Sequence, residues 1–433
     1  MTMFSFNHAA MRPSSPARNP STSSADRQPF AVRLAADALV IAGILALFGL
    51  IAWILPAIGE PIGPKGVPSS VSTNLADLPY YALRSVFRMF VALFFSLVFT
   101  FVYGTAAARC RRLSRVLIPL LDILQSVPIL GFLSATITIW MVLFPGSMLG
   151  VEAASIFAIF TSQAWNMSFS FTRSLTSEPR ELDEAARSLR LTRWQRFWTL
   201  DVPNAMIPLL WNCMMSVGGG WFFLTASEMI SVNNHTYALP GIGSFVAQAA
   251  AEENLAAICW AIVTMVAVVL LIDVLLWKPL TAWAEKFRIT QSESAVHKTS
   301  AVLTIIRQSH IDEMLDRLFQ PVGELFDTLT RPLGRTGGRW SVETKSARSR
   351  VLDVLFMVVI VAASAFGVIE LMLVIHRDAG FDELGHALAL GMLTFLRVAL
   401  LTIVCSVIWV PVGALIGMNP RVSRFMQPIV QVL

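Results

Sequence analysis

The chain has 433 residues, 55% of them hydrophobic and 14% charged, with a formal net charge of +5. Soluble domains carry roughly 25% charged residues, so this composition excludes an ordinary water-soluble globular protein and makes the lipid bilayer part of the solvent. The pI near 9.3 follows from arginines clustered between apolar runs, and no nucleic-acid partner is implied.

In chain order, residues 1–30 are rich in Ser, Pro and Arg and read as a disordered cytoplasmic tail. The first apolar run starts past residue 30 and is too long for the core of a cleavable signal peptide. Largely uncharged runs of about twenty residues predict helices at 35–55, 86–108, 127–144, 153–171, 207–230 and 256–277, with two more at 351–374 and 393–416. Runs of this length are too long for barrel strands, and only a helix satisfies its own backbone in lipid. The expected fold class is all-α, a polytopic transmembrane bundle.

The loops alternate in charge. Arg109, Arg111, Arg112 and Arg115 follow the second run, and Arg173, Arg180, Arg187, Arg190, Arg193 and Arg196 crowd the loop after the fourth. The stretch 145–151 has no basic residue, and 231–255 has two glutamates and no Lys or Arg. The positive-inside rule then places the N-terminus in the cytoplasm. Trp53, Trp140 and Trp260 toward the outer ends, with Trp211 and Trp277 toward the inner ends, read as aromatic belts.

The most informative stretch is the arginine-rich loop 178–208, EPRELDEAARSLRLTRWQRFWTLDVPNAMIP. Pro179 and Asp183 suit the start of a short helix. Thr192 suits the N-cap of a second, amphipathic one that carries Trp194, Phe197, Trp198 and Leu200 and that Pro203 is expected to end. Such an exposed helical pair fits a groove on a soluble partner.

The loop resembles the EAA loop of type I binding-protein-dependent ABC importer permeases: Glu-Ala-Ala, three residues, Gly, nine residues, Ile-x-Leu-Pro. Glu184, Ala185, Ala186, Leu200, Val202 and Pro203 fall in register, and Arg190 stands where the family usually has glycine. That substitution implies a different turn or a strained one. The run SVFRMFVALFFSLVFTFVYGTAAARCRRLSRVLIPLLDILQSVP and the later GGGWFFLTASEMI are most similar to the nitrate/sulfonate/bicarbonate (taurine-type) permeases, over about residues 78–288. The resemblance implies a non-catalytic subunit of the bacterial inner membrane, with the loop docked in a cleft of a separate ABC ATPase that works as a dimer. It further implies a periplasmic or extracellular solute-binding protein as partner, membrane lipid around the bundle, and a small anion as solute.

An ungapped internal match appears at an offset of 309 residues. Arg88, Val98, Gly104 and Arg112 pair with Arg397, Val407, Gly413 and Arg421, and Ser114, Arg115, Pro119 and Leu124 pair with Ser423, Arg424, Pro428 and Leu433. The expected organisation is a tail (1–30), a permease domain (31–285), a cytoplasmic linker (286–349) and an incomplete second permease domain (350–433). The internal period predicts a continuation of about 160 residues with a second EAA-like loop. In this reading Arg88 lies at the outer mouth, and Gly104 serves close helix packing.

No Walker A pattern or GxSxG occurs, and the four cysteines have no metal or disulfide spacing. All six histidines fall outside the predicted spans or at their edges, so no metal and no cofactor is expected. The rival reading, an ion-coupled secondary transporter, calls for buried carboxylates or broken helices at midplane. Asp37, Asp122, Glu228 and Asp273 all read as lying toward span ends, with Glu228 near the outer interface. Gln163, Asn166 and Ser170 share one face of the fourth span, and Asn212 and Ser216 share one face of the fifth. These five are the candidate substrate pathway, against the alternative of interhelical hydrogen bonding. Gly218, Gly219 and Gly220 read as close packing or local unwinding.

Overall fold

The computed structural model describes residues 70–232, 235–284, 347–374 and 381–419, with a few single positions besides. The expected tail at 1–30, the first span at 35–55 and most of the linker lie outside the described residues. Two compact units appear, Met1–Trp340 and Ser341–Leu433.

In the first unit a 3-10 turn at Leu75–Asp77 leads into α1 (Leu78–Arg109), followed by α2 (Arg111–Ser126), α3 (Ile129–Leu143) and α4 (Leu149–Thr176). Two short helices, α5 (Arg180–Ser188) and α6 (Arg193–Arg196), precede a π turn (Phe197–Asp201) and α7 (Val202–Glu228). An antiparallel hairpin of β1 (Met229–Val232) and β2 (His235–Ala238) pairs Met229 with Ala238 and Val232 with His235. Then come α8 (Ile242–Ala251), α9 (Leu255–Ile272), a second π turn (Asp273–Trp277) and α10 (Lys278–Ala284).

The all-α expectation holds, and the predicted runs within the described residues lie on helices, the run 207–230 passing into the hairpin at Met229. The run 86–108 lies inside α1, which starts a turn or more earlier. The run 127–144 becomes α3, only 15 residues long. At 1.5 Å per residue that is about 22 Å, less than the roughly 30 Å of a bilayer's hydrocarbon core. Its turn into α4 passes through Gly146 at φ 73. The basic stretch after α1 is itself helical, α2, with Leu113 and Ile123 exposed and Leu121 buried. The stretch 231–255 is more than a loop, holding most of the hairpin and α8. Trp277 belongs to no surface belt: it is buried in the core.

The core lies between α1, α4 and α7, where Met89, Ile159, Met167, Phe171, Leu209 and Leu224 pack together. Small residues bring these helices close. A Cβ on Gly220 of α7 would come within 3.1 Å of Met89 Sδ and 3.3 Å of Gln163 Nε2. Gly218 and Gly219, by contrast, face open space, and α7 stays helical through all three.

The second unit contains α11 (Ala347–Val374) and α12 (Phe381–Met418), which hold the two later predicted runs. Both are long and apolar enough to cross a membrane.

Candidate functional site

The predicted helical pair forms. Pro179 is the N-cap of α5, whose first turn carries Glu181 and Asp183, where negative charge complements the helix dipole. Glu184 and Ala185 are exposed, while Ala186 is 2% exposed. The alanine pair therefore splits, one methyl on the outer surface and one against the bundle.

Arg190 keeps the turn that glycine would make, at φ 52. The Arg190 N–H donates to Arg187 O (3.0 Å) and the Leu191 N–H to Ala186 O (3.2 Å). These are the two bonds of a Schellman C-cap, closed here at the conformational cost of a side chain in the left-handed region. Of the two alternatives that the sequence left open, the strained turn is the one adopted.

Thr192 caps α6 as expected. Its Oγ1 accepts from the Gln195 N–H (3.2 Å), and its own N–H donates to Gln195 Oε1 (3.0 Å), a full capping box. Pro203 does not end this helix. The chain runs on helically from Arg193 to Glu228, with Leu200 in the π turn and Val202 and Pro203 in the first turn of α7. Proline lacks an N–H and its ring crowds the carbonyl four residues back; the wider π turn gives it room.

A buried ion cluster fastens the loop to the bundle. Arg196 Nη1 donates to Asp183 Oδ1 (2.5 Å) and Nη2 to Glu178 Oε2 (3.0 Å). Arg109, the last residue of α1, donates to the same Glu178 oxygen (2.7 Å) and to Asp201 Oδ1 (2.5 Å). Partial burial pushes the Asp183 carboxyl up, but hydrogen bonding and charge from Arg196, with Arg187 and Arg109, outweigh it and hold the group below its ordinary range. The sequence reading took Arg109 and Arg196 only as topology markers and did not pick out Glu178 or Asp201. The available signal was Asp201 five residues after Arg196 and two before Pro203.

A second cluster sits at the other end of α1. Arg88 is 1% exposed, and Glu152 and Glu228 are 1% and 0% exposed. Arg88 Nε and Nη2 donate to the two oxygens of Glu152 (2.5 and 2.8 Å), and Nη1 donates to Glu228 Oε1 (2.8 Å). Arg84 pairs with Glu152 as well. The Ser85 hydroxyl donates to Glu228 Oε1 (2.5 Å) and accepts from the Ile242 N–H (3.0 Å), and the Gly243 N–H donates to Glu228 Oε2 (2.7 Å). Glu228 ends α7, as a span-end residue should, but it is not solvated: the first turn of α8 returns over it after the hairpin and buries it. Arg88 likewise faces the protein interior rather than an open mouth.

The five candidate pathway residues are not one surface. Gln163 is buried, donating to Met89 Sδ (3.1 Å) and accepting from Ser96 Oγ (3.4 Å). Asn166 is exposed. Asn212 Nδ2 donates to Ser170 Oγ (3.0 Å), joining α7 to α4. Ser216 is buried with an unpartnered hydroxyl. No group of His, Cys, Asp and Glu among the described residues has metal-holding geometry.

Residues 100–276 match the model of a family described as "Binding-protein-dependent transport system inner membrane component". The chain is 26% identical over 191 residues to the taurine transport system permease protein TauC of Escherichia coli K12, an alignment covering 44% of this chain and 62% of that relative. It is 25% identical over 122 residues to the bicarbonate transport system permease protein CmpB of Synechocystis, covering 28% of this chain and 42% of the relative. It is 23% identical over 155 residues to the nitrate import permease protein NrtB of the same organism, covering 36% and 51%. The chain therefore spans less than two thirds of the length of these relatives. Among solved structures, a chain of the MetNI methionine ABC transporter in inward-facing conformations aligns with a TM-score of 0.41 at 18% identity, covering 49% of this chain and 97% of that one. Across residues 100–276 this chain carries a domain of the binding-protein-dependent transport system inner membrane component family.

Proposed function

We propose that the chain is the membrane-spanning permease subunit of an ATP-driven importer. In this reading Glu184, Ala185, Ala186, Arg190, Leu200, Val202 and Pro203 form the element that docks on a separate ABC ATPase. The observation that carries it is the helical pair itself. Glu184 and Ala185 face outward on a helix whose Asp183 pairs with Arg196 of α6, and Arg196 is tied in turn through Glu178 to Arg109 of α1, which also holds Asp201 just before α7. A loop with no partner needs no such fastening, whereas one that passes a displacement to the bundle does. The subunit is non-catalytic, lies in a bacterial inner membrane with its N-terminus in the cytoplasm, and receives solute from an external binding protein. The solute is a small anion of the kind carried by the taurine, bicarbonate and nitrate relatives. Residues 31–285 form one permease domain, joined by a linker to the start of a second at 350–433. Gln163, Ser170, Asn212 and Ser216 serve the packing of α1, α4 and α7 more than a pathway, which leaves Asn166 as the exposed polar group of that set.

The ion-coupled alternative gains two buried carboxylates, Glu228 and Glu152, the second of which the sequence did not single out. Glu152 and Glu228 are matched by Arg84 and Arg88, however. Two guanidiniums against two carboxylates leave no net charge to hold a coupling cation. The test is uptake of labelled taurine, nitrate and bicarbonate by vesicles from cells expressing the chain with its neighbouring transport genes. Uptake that follows internal ATP and ignores ionophores is expected; uptake abolished by collapsing an ion gradient at constant ATP contradicts the proposal.

A further inference from the structure

The outer face of the helical pair does not end at Ala185. Leu189 lies one turn further along the same face of α5 and is 61% exposed. Arg190 follows it in the turn. The exposed charged side chains between residues 180 and 196 are Arg180, Glu181, Glu184, Arg187, Arg190 and Arg193. The face is thus an exposed apolar side chain in a surround with more cation than anion.

Arg190 stands apart from its neighbours. Arg187 pairs with Asp183 (2.6 Å), and Arg196 is committed to Asp183, Glu178 and Asp201. The Arg190 side chain is exposed and has no hydrogen bond or ion pair among the described residues. Its backbone is nonetheless held at φ 52, where a side chain costs energy that glycine does not. The bonds from the Arg190 and Leu191 N–H groups close this turn through the backbone alone, so glycine would make it without the strain. Within the chain, then, the arginine brings a cost and no contact that offsets it. Strain of this kind gathers at sites where a ligand or partner uses the residue that bears it.

We infer that Arg190 is the residue by which this loop selects its ATPase. Leu189 seats in an apolar pit of the ATPase cleft, and the Arg190 guanidinium pairs with a carboxylate on the rim of that pit. The inference rests on the docking of this loop on an ABC ATPase and adds the chemistry of the cleft. A carboxylate is the complement of an unpartnered guanidinium, whose planar fork takes both oxygens at once. The backbone bonds of the turn fix where the side chain starts before docking, which lowers the cost of ordering it. A cleft without that carboxylate leaves the guanidinium desolvated and unpaired, and is rejected.

The test titrates the purified ATPase encoded beside this chain against the full chain in phosphatidylcholine nanodiscs, and reads hydrogen exchange of α5 and α6 in parallel. Arg190→Gln keeps the strained turn and removes the charge; binding weaker by about tenfold or more is expected. Arg190→Gly is expected to weaken binding as much while slowing exchange, which separates lost affinity from a loosened loop. Leu189→Ser is expected to cost about tenfold as well, and Arg190→Glu to abolish binding. Among ATPase variants that each change one Asp or Glu to Lys, one is expected to restore binding to Arg190→Glu. Wild-type affinity with Arg190→Gln, or no restoring variant in that set, overturns the inference. If Ala185→Trp abolishes binding and Arg190→Gln leaves it unchanged, the docking stands and the inference alone falls; no binding by the unaltered chain sinks both. A loss with Arg190→Gln that needs phosphatidylglycerol in the nanodisc assigns the guanidinium to lipid headgroups, and overturns the inference too.

Discussion

Arg88 is the residue on which the most depends. It joins α1 to both α4 and α7 through Glu152 and Glu228, with no water-facing side to relieve a loss. Removing one partner of a buried ion pair costs about 3–5 kcal/mol, because the other charge stays buried. Arg88→Ala should lower the unfolding midpoint of the purified chain sharply, and a midpoint equal to wild type would show that the cluster is not needed for the bundle. Arg190 is the opposite case. Its left-handed backbone costs about 1 kcal/mol relative to glycine, so Arg190→Gly should slow hydrogen exchange in α5 and α6. Faster exchange would mean that the arginine side chain holds the turn. The Arg190 position was legible in sequence as the place of an unusual turn. The pairing of Arg88 with Glu228 was not, because they lie 140 positions apart and linear position alone puts Glu228 at a span end.

At the scale of elements, local signals did well where the physics is local. Thr192 followed by Gln195 announces a capping box, and the apolar runs announce the helices. The signals failed where tertiary packing decides. Pro203 reads as a stop but is taken into a continuous helix by the π turn, and the hairpin with α8 has no apolar run long enough to announce it. α8 is placed by close contact. A Cβ on Gly243 would lie 2.5 Å from Thr225 Cα and 2.8 Å from its carbonyl carbon, backbone that cannot step aside. Gly243→Ala should therefore push α8 off Glu228 and destabilise the chain by about 1–3 kcal/mol, the usual range for overpacking. Thermal unfolding in detergent checks this, and an unchanged midpoint would show that α8 is free to shift.

Across the first unit, two buried ion clusters stand at opposite ends of α1. Arg88 and Arg109 are 21 residues apart on one helix, about 31 Å at 1.5 Å per residue, close to the thickness of a bilayer's hydrocarbon core. Charge is thus kept to the two ends of the bundle, paired and buried, and the apolar middle is left to Met89, Phe171, Leu209 and their neighbours. One cluster joins α1, α4, α7 and α8; the other joins α1 to the helical loop. Composition and loop charge were enough to show a membrane bundle with a distinctive loop. That the loop is bolted to α1 by acidic partners needed the structure, because arginines in such loops are already explained by topology. The account's central claim is that the outer face of this loop docks an ATPase, and Ala185, exposed on α5 beside Glu184, probes it without touching either cluster. The measurement is the amount of ABC ATPase that co-purifies with tagged wild-type chain and with Ala185→Trp when both are expressed with the neighbouring transport genes. The account predicts stoichiometric ATPase with wild type and at least a tenfold loss, about 1.4 kcal/mol in binding, with Ala185→Trp at an unchanged unfolding midpoint. Equal ATPase recovery with both chains, or none with wild type, would contradict it.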